Sequence, residues 1–231
     1  DGYTLLFVAS PFTTVAAATP LTANYDPVRQ FAPVALIAAG PLVWIANAQA
    51  PFGSMREMIA YARANPGKLA YGSAGAGGVN HLALELFKNR TGTDILHVPY
   101  KGIAPATTDL LGGSIMTLTG TIPAVLPHLK SGKARALAVT GDKRSLLLPD
   151  VPTMKETGAN GTEVYNYWGI VAPAGTPAAI VQRLNGEVQK FLGQKDVQER
   201  LASDGVDLTP GGPERLAAFI ANDYNGWKRL V

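Results

Sequence analysis

The stretch LAYGSAGAGGVNHL, residues 69–82, places an apolar strand, a glycine-rich turn and the start of a helix in direct succession. Residues 69–71 are apolar, as expected of a buried strand. Residues 72–78 include four glycines, which accept backbone angles that other residues avoid. Apolar residues then recur at spacings of three and four up to Gly92, which predicts a helix. The stretch therefore predicts one strand–loop–helix unit of a parallel α/β sheet.

The same alternation of short apolar runs and helical patterns continues from one end of the chain to the other. It is typical of parallel sheets flanked by helices, so the expected fold class is α/β. The predicted strands lie at residues 3–9, 42–46, 69–71, 95–98, 115–119, 135–139 and 167–171.

Several predicted helices have recognisable ends. Ser54 and Glu57 form a capping box ahead of a helix at residues 55–64. Thr176 and Pro177 predict an N-cap followed by proline at the first helical position. Two more helices are predicted further on, at residues 196–203 before Gly205 and from Pro213 toward the C-terminus.

The order of these elements predicts two domains, one of them discontinuous. The strands between about residues 51 and 141 suffice for a self-contained α/β unit, whereas the flanking segments are each too short to form a sheet. We therefore predict that residues 1–48 and 165–231 form one domain and that residues 49–164 form the other. A cleft between two such lobes is a preferred place for a ligand.

The composition excludes several classes of function. The 231 residues are 47% hydrophobic and 16% charged, with 25 Gly, 17 Pro and no Cys, as in a soluble globular protein. The lack of Cys excludes thiol catalysis, iron–sulfur clusters and Cys-type zinc sites. The 20 Lys and Arg residues are scattered and nearly balanced by 17 Asp and Glu, which argues against a nucleic-acid partner.

The sequence shows neither a membrane span nor a signal peptide. The longest apolar candidate, residues 31–48, is broken by Pro33, Gly40 and Pro41 before it reaches the ~18 residues that a span needs. The first residues lack a basic leader and a cleavage site. Because a strand is predicted within two residues of the start, we expect that further residues precede this chain in the natural protein.

The turn at residues 73–78 has the features of an anion site. Its glycines allow backbone N–H groups to point together at the N-terminus of the next helix. The candidate ligand-binding residues in this turn are Ser73, Ala74, Gly75, Gly77 and Gly78.

Three known functional motifs with a glycine-rich turn fit this turn poorly. A dinucleotide fingerprint would need Gly or Ala at Asn80, and a nucleophile elbow would need Gly at Tyr71. A P-loop would need a Gly-Lys-Ser/Thr triplet, which the sequence lacks. The remaining alternative is a tight turn between strand and helix that binds nothing.

Residues 97–106 repeat the arrangement of strand, polar turn and helix. Two helix N-termini at the carboxyl edge of one sheet would direct partial positive charge into the same crevice. Tyr100, as a phenol donor or an apolar wall, Gly102 and Ala104 are the candidates here, while Lys101 is interpreted as a solvated side chain. A third turn of the same form contains Thr121, whose hydroxyl would add a donor.

Ser10 and Thr13 follow the first predicted strand, at the equivalent edge of the other domain. Their hydroxyl groups would either donate hydrogen bonds to a ligand or cap the segment that follows. Both interpretations remain open from the sequence.

The histidines and acids do not form a catalytic or metal centre in this pattern. His81, His97 and His128 fall in separate elements without metal-site spacing, and we expect His81 and His97 to be packed residues bonded to the backbone. No two carboxylates are spaced for paired acid and base work. The chain is therefore predicted to bind an anion without being an enzyme, and to use neither a metal nor a cofactor.

Seven blocks of this sequence, taken together and in order, resemble the Bug (TctC-like) solute receptors. The blocks are DGYTLL (1–6), YGSAG (71–75), HVPYKG (97–102), DLLGG (109–113), LAVT (137–140), PDVPT (149–153) and WGIVAPAGTP (168–177). They are spread over the whole chain, which makes the resemblance specific.

The resemblance implies a periplasmic binding protein of type II, a two-lobed Venus flytrap, that captures a small di- or tricarboxylate between its lobes. It also implies delivery of that ligand to the membrane subunits of a tripartite tricarboxylate transporter, and a location in the periplasm. Members of the family have an N-terminal strand-loop-helix segment before the point where this chain begins, so the first lobe is expected to be incomplete.

Two alternatives to transport remain open at this point. One is an orphan receptor that binds a carboxylate and signals to a membrane sensor, which residue chemistry does not separate from a transport receptor. The other is a small NADP-dependent reductase that would use the turn at 75–78 with Lys101 on the 2′-phosphate. The spacing of Tyr100 and Lys101 disfavours the reductase, because a Tyr-x-x-x-Lys proton donor would be required.

Overall fold

The computed structural model describes residues 4–203 and 209–230. Within these ranges the strands are β1 (Leu6–Ala9), β2 (Phe31–Asn47), β3 (Ala70–Ser73), β4 (Leu96–Pro99), β5 (Thr117–Thr121), β6 (Ala134–Val139) and β7 (Tyr165–Pro173). The α-helices are α1 (Pro11–Ala18), α2 (Pro20–Ala23), α3 (Met55–Ala64), α4 (Val79–Thr91), α5 (Ile103–Gly112), α6 (Ile122–Lys130), α7 (Ala178–Leu192), α8 (Lys195–Ser203) and α9 (Pro213–Lys228). The predicted strand start at Tyr3 and the predicted helix end at Gly205 lie outside the described residues.

The chain forms two compact units. Unit 1 consists of Asp1–Gly40 and Asn166–Val231, and unit 2 is the single stretch Pro41–Tyr165. The division between Gly40 and Pro41 falls inside β2, a continuous strand that begins well ahead of the predicted run at 42–46. The domain limits given above from the sequence remain a prediction.

The sheet of unit 2 has the strand order β6, β2, β5, β3, β4. β3 runs parallel to both of its neighbours, β4 and β5, whereas β2 runs antiparallel to β5 and β6. Since β3, β4 and β5 point the same way, their carboxyl ends share one edge of the sheet. The chain continues from those ends into α4, α5 and α6 respectively.

Helices cover both faces of this sheet, as the apolar pattern of β2 requires. Trp44 and Ala46 belong to one buried cluster, and Val43 and Ile45 to another, because successive strand residues point to opposite faces. The first cluster includes α3 and α4 residues, namely Met55, Met58, Leu84 and Phe87. The second includes residues of α5 and α6, namely Ala106, Leu110, Ile122 and Val125.

The predicted helix ends are confirmed at α3 and α4 and need a correction at α7. Ser54 caps α3 by accepting a hydrogen bond from Glu57 N–H at 3.3 Å. Gly92 ends α4 in the left-handed conformation, with φ +62°. At α7 the N-cap is Pro177 rather than Thr176, whose hydroxyl donates instead to the Pro173 carbonyl at 2.8 Å.

Unit 1 is built on β1, β7 and the first part of β2. β1 pairs antiparallel with β7, and Val8 and Tyr167 pack with Leu216 and Ile220 of α9 in one buried cluster. Gly169 of β7 permits this packing, since a Cβ there would lie 2.8 Å from the Leu216 methyl carbons. The opposite side is covered by α7 through Val181.

Among the residues described, no helix is both long and apolar enough to cross a membrane.

Candidate functional site

Three helices begin at the carboxyl edge of the parallel strands in unit 2. Ser73 and Pro99, the last residues of β3 and β4, lie side by side in register. The loops that follow stay together, because Tyr100 N–H donates to the Ser73 carbonyl at 3.0 Å and Gly102 N–H to the Ala74 carbonyl at 3.2 Å. At the predicted edge, the loops that lead into α4 and α5 therefore lie next to each other, and α6 follows β5 at the same edge.

The first turns of these helices lack side-chain caps. Gly78, Gly102 and Thr121 occupy the N-cap positions of α4, α5 and α6, and in this described part of the chain none of them makes a side-chain cap hydrogen bond. The first amides of an α-helix have no acceptor within the helix, and they carry the positive end of the helix dipole. The edge therefore offers N–H donors and partial positive charge to an anion.

Glycine is needed at two positions of the adjoining loops. Gly75 has φ +138° and Gly102 has φ +117°, conformations that residues with a side chain rarely adopt. A Cβ on Gly75 would also lie 3.5 Å from the Tyr100 carbonyl oxygen. Since 3.5 Å is an ordinary contact distance, the backbone angles rather than lack of space call for glycine at these positions. Residues 74–78 are called the glycine loop below.

The three glycine amides of the glycine loop already have partners. Gly75 N–H donates to Ser73 Oγ at 3.2 Å, Gly77 N–H to His81 Nδ1 at 3.1 Å and Gly78 N–H to the Gly75 carbonyl at 3.4 Å. These bonds hold the loop in shape. The predicted ligand contacts of Ala74, Gly75, Gly77 and Gly78 remain predictions, and the uncapped amides belong to the first turn of α4 that follows them.

Ser73 is completely buried, and its hydroxyl lies 2.6 Å from His97 Nε2. The His97 ring stacks on the ring of His81, with centroids 4.0 Å apart and an interplanar angle of 21°. His81 bonds to the backbone as expected, but the expectation for His97 was wrong, since its partner is a side chain. Sequence reasoning missed this pair, although pairing β3 with β4 sets His97 opposite Tyr71, two residues before Ser73.

Both histidines are held neutral at physiological pH. Burial, with a smaller contribution from the neighbouring His81, lowers the pKa of His97 to about 4. Burial also lowers the pKa of His81, against the opposing effect of Glu85. Neutral rings leave one nitrogen on each histidine free to accept a hydrogen bond.

Tyr100 donates its hydroxyl to Asp109 at 2.7 Å. Burial and then the Asp109 carboxylate raise the pKa of Tyr100 to about 12, so the phenol stays protonated. The proton of this phenol is directed to Asp109, and the role of Tyr100 toward a ligand, as donor or as apolar wall, remains a prediction. Thr121 is half-buried at the end of β5, Gly102 is half-buried, and Ala104 is exposed on the first turn of α5. Their contacts with a ligand remain predictions.

A buried polar network fixes the start of α4 against β5. Asn80 Nδ2 donates to the Thr119 carbonyl at 2.6 Å, and Tyr71 donates its hydroxyl to the Asn80 carbonyl at 2.8 Å. The Tyr71 hydroxyl also contacts Thr119 Oγ1. Asn80, the residue that departs from the dinucleotide fingerprint, therefore orients the helix that presents the uncapped amides.

In unit 1, the predicted residues Ser10 and Thr13 are both completely buried. Ser10 Oγ accepts a hydrogen bond from Tyr167 N–H at 3.0 Å and does not cap α1. Thr13 Oγ1 contacts the Ser10 carbonyl, the Tyr167 hydroxyl and the Asp223 carboxylate. The two hydroxyls thus have partners inside unit 1, and their role toward a ligand remains a prediction.

The neighbours of these residues carry polar atoms without partners. Within the described part of the chain, Thr14 Oγ1 and Asn166 Oδ1 are buried and make no hydrogen bond. Thr14 directly follows Thr13 and Asn166 directly precedes Tyr167, two residues whose hydroxyl groups contact each other in unit 1. Buried polar atoms are normally satisfied, so a water or a ligand would complete both: the Asn166 oxygen as an acceptor and the Thr14 hydroxyl as a donor or an acceptor. Nothing in the sequence indicates that these two atoms lack hydrogen-bond partners.

No group of three metal-ligating side chains comes together anywhere in residues 4–203 and 209–230.

Lys101 is exposed in the loop before α5, as predicted.

The whole chain matches a known family model, and close structural relatives exist. The family model is that of the tripartite tricarboxylate transporter family receptor, TctC, and it matches residues 1–231. BugT of Bordetella pertussis is 36% identical over 233 residues, covering all of this chain and 71% of BugT. Rpa4515 of R. palustris, solved with adipate, is 35% identical with a TM-score of 0.90, covering 100% of this chain and 77% of that one.

A third relative has a different ligand. MatC of Rhodopseudomonas palustris, solved with bound malate, is 30% identical with a TM-score of 0.90, covering 100% of this chain and 79% of that one. The α/β fold class of a periplasmic solute-binding protein is thereby confirmed. The chain belongs to the TctC family of tripartite tricarboxylate transporter receptors.

Proposed function

We propose that this protein is an extracytoplasmic solute-binding protein for a small di- or tricarboxylate, and that it performs no chemistry on its ligand. The observation that carries this proposal is that α4, α5 and α6 all begin at one sheet edge, each without a side-chain cap. Carboxylate oxygens there would accept hydrogen bonds from first-turn amides and interact with the helix dipoles.

The surroundings of this edge favour binding over catalysis. The hydroxyl of Ser73 is buried beneath the loop and the phenol of Tyr100 is hydrogen bonded to Asp109, so neither is presented as a nucleophile or acid. Relatives with adipate and malate support the ligand class. Selectivity among carboxylates would then arise from shape, dipoles and bridging water rather than from ion pairs.

The partners and the location follow from the family as part of the same proposal. We infer that the protein delivers its ligand to the membrane subunits of a tripartite tricarboxylate transporter and works in the periplasm. In unit 1, Ser10 and Thr13 remain proposed contacts, and the unpaired Thr14 and Asn166 are added to them.

Titration calorimetry with adipate, malate and citrate tests the ligand class directly. We expect saturable binding of at least one of the three at pH 7.5, and no binding of an uncharged analogue such as adipamide. Equal binding of adipate and adipamide, or no heat from any of the three acids, would overturn the proposal.

Replacing Gly75 with alanine is expected to weaken carboxylate binding by about tenfold or more. An alanine at this position cannot adopt a backbone φ of +138° without strain, so the glycine loop and the amides after it must move. Gly186→Ala is the matched control, because Gly186 lies exposed in the interior of α7 and a Cβ there would meet no other atom within 4 Å. The control should keep its affinity and gain about 0.5–1 kcal/mol of helix stability. Equal affinities for the two variants would contradict the assigned role of the loop.

A further inference from the structure

Two histidines hold the glycine loop at both of its ends. At the first end, His97 Nε2 lies 2.6 Å from Ser73 Oγ, which accepts the Gly75 N–H at 3.2 Å. At the second end, His81 Nδ1 accepts the Gly77 N–H at 3.1 Å. Because the two rings also stack on each other, the contacts form one continuous connection from β4 through the loop to α4.

The two contacts make different demands on the protonation of their rings. Nδ1 of His81 must be unprotonated to accept from Gly77, so the neutral ring carries its proton on Nε2, which lies 3.8 Å from Glu85 Oε1. Ser73 has one hydroxyl proton, and His97 Nε2 is a nearer acceptor than the Gly75 carbonyl at 3.2 Å. Donation from Ser73 to this nearer acceptor places the His97 proton on Nδ1.

The environment keeps both rings in these neutral forms. The charged side chains that act on the pair are Glu85 and Lys88, both on α4, and they bond to each other at 3.0 Å. Burial lowers the pKa of both histidines, as described above. At pH 7 the pair can therefore accept hydrogen bonds from the loop without bringing a charge to it.

We propose that His81 and His97 are positioning residues, which hold the glycine loop in the shape that directs the first-turn amides of α4 at the bound carboxylate. Neither histidine touches the ligand; each acts through its hydrogen bond to Gly77 or to Ser73. The binding readout of this inference rests on the proposed function, whereas the hydrogen bonds are measurable in the protein alone.

Substitution by asparagine or glutamine separates the two ring nitrogens of each histidine. The amide oxygen of asparagine takes the place of Nδ1, and the amide oxygen of glutamine takes the place of Nε2. His81→Asn and His97→Gln keep the acceptor that the loop uses. His81→Gln and His97→Asn displace it while keeping a polar side chain. We expect the Kd for adipate, or for whichever of malate and citrate binds, to rise about tenfold in the second pair. In the first pair it should stay within about threefold of the unmodified protein.

Two measurements need no ligand. Nitrogen-15 NMR of the imidazoles at pH 7 should show the Nε2–H form for His81 and the Nδ1–H form for His97. Hydrogen exchange at the Gly77 amide should be about tenfold faster in His81→Gln than in His81→Asn.

These readouts separate a failure of this inference from a failure of the proposed function. If no acid binds but the tautomers and the exchange rates are as expected, the ligand proposal is wrong and the role of the histidines in holding the loop stands. A protonated or reversed tautomer, or equal Kd values across each Asn and Gln pair, would overturn the positioning role. Should a Gln or Asn variant fail to fold, the tautomers of the unmodified protein still decide the outcome.

Discussion

Trp44→Ala should lower the free energy of unfolding by about 3–5 kcal/mol. Trp44 is 1% exposed in the centre of unit 2, with its ring centroid 4.6 Å from that of Phe87 and 5.2 Å from that of Tyr71. Its Nε1–H also donates to Thr117 Oγ1 at 2.6 Å. Truncation leaves a cavity between β2 and α4 as well as a lost hydrogen bond, and both effects have the same sign.

Urea unfolding followed by circular dichroism measures this change. Trp44→Phe is the control, because it keeps an aromatic ring against Phe87 and Tyr71 and should lose less than half as much stability. Thr117 retains a partner in both variants, since its hydroxyl donates to the Ile45 carbonyl. A loss below about 1 kcal/mol in the alanine variant would show that the core of unit 2 is packed differently.

Asp223 is expected to make the stability of the protein fall as the pH rises from about 4 to about 7. Burial raises the pKa of this carboxyl from its usual 3.8 to about 6, and hydrogen bonds from Thr13 and Trp227 oppose that rise only in part. Because the folded pKa is the higher one, the protonated form is favoured by folding. The contribution is fully present below pH 3.8 and is lost as the pH passes 6, by about 3 kcal/mol in total.

Comparison with Asp223→Asn isolates this contribution, since asparagine does not titrate. His97 acts in the opposite direction, because its lowered pKa gives a contribution present above pH 6.5 and lost as the pH falls toward 4. The stability difference between the unmodified protein and Asp223→Asn cancels the histidine effect at each pH. A difference that stays constant from pH 4 to pH 7 would mean that Asp223 is solvated rather than buried.

Local patterns in the sequence are sufficient to predict the helices and strands around the site. The sequence predicts the helix at residues 55–64 with its observed ends, and its start is set by Ser54, which caps it through a hydrogen bond from Glu57 only three residues away. The strand–loop–helix units at β3 and β4 are likewise predictable, since apolar runs and glycine turns are local features. The α/β class follows from them, whereas the family resemblance rests on the seven sequence blocks and is confirmed by the family model.

What the sequence conceals depends on contacts between distant residues. Thr13 meets Asp223 across 210 positions, and His97 meets Ser73 across 24. No local pattern reports which side chains such folding brings together. The predicted β2 is too short for a different reason: Pro33, Gly40 and Pro41 normally interrupt a strand, but here the strand changes partners near Gly40 and continues to Asn47.

Unit 2 is one continuous segment of the chain, so we expect that it can be expressed and can fold without unit 1. Residues 41–165 contain their own sheet and both of its apolar clusters. The first and last residues of the stretch also lie near a common point, since a Cβ on Gly141 would be 3.1 Å from Pro41 Cβ and 3.2 Å from the Tyr165 hydroxyl. Such a segment could be grafted into a host loop as a cassette. A dispersed amide spectrum from the isolated segment would establish this independence, and a collapsed spectrum would refute it.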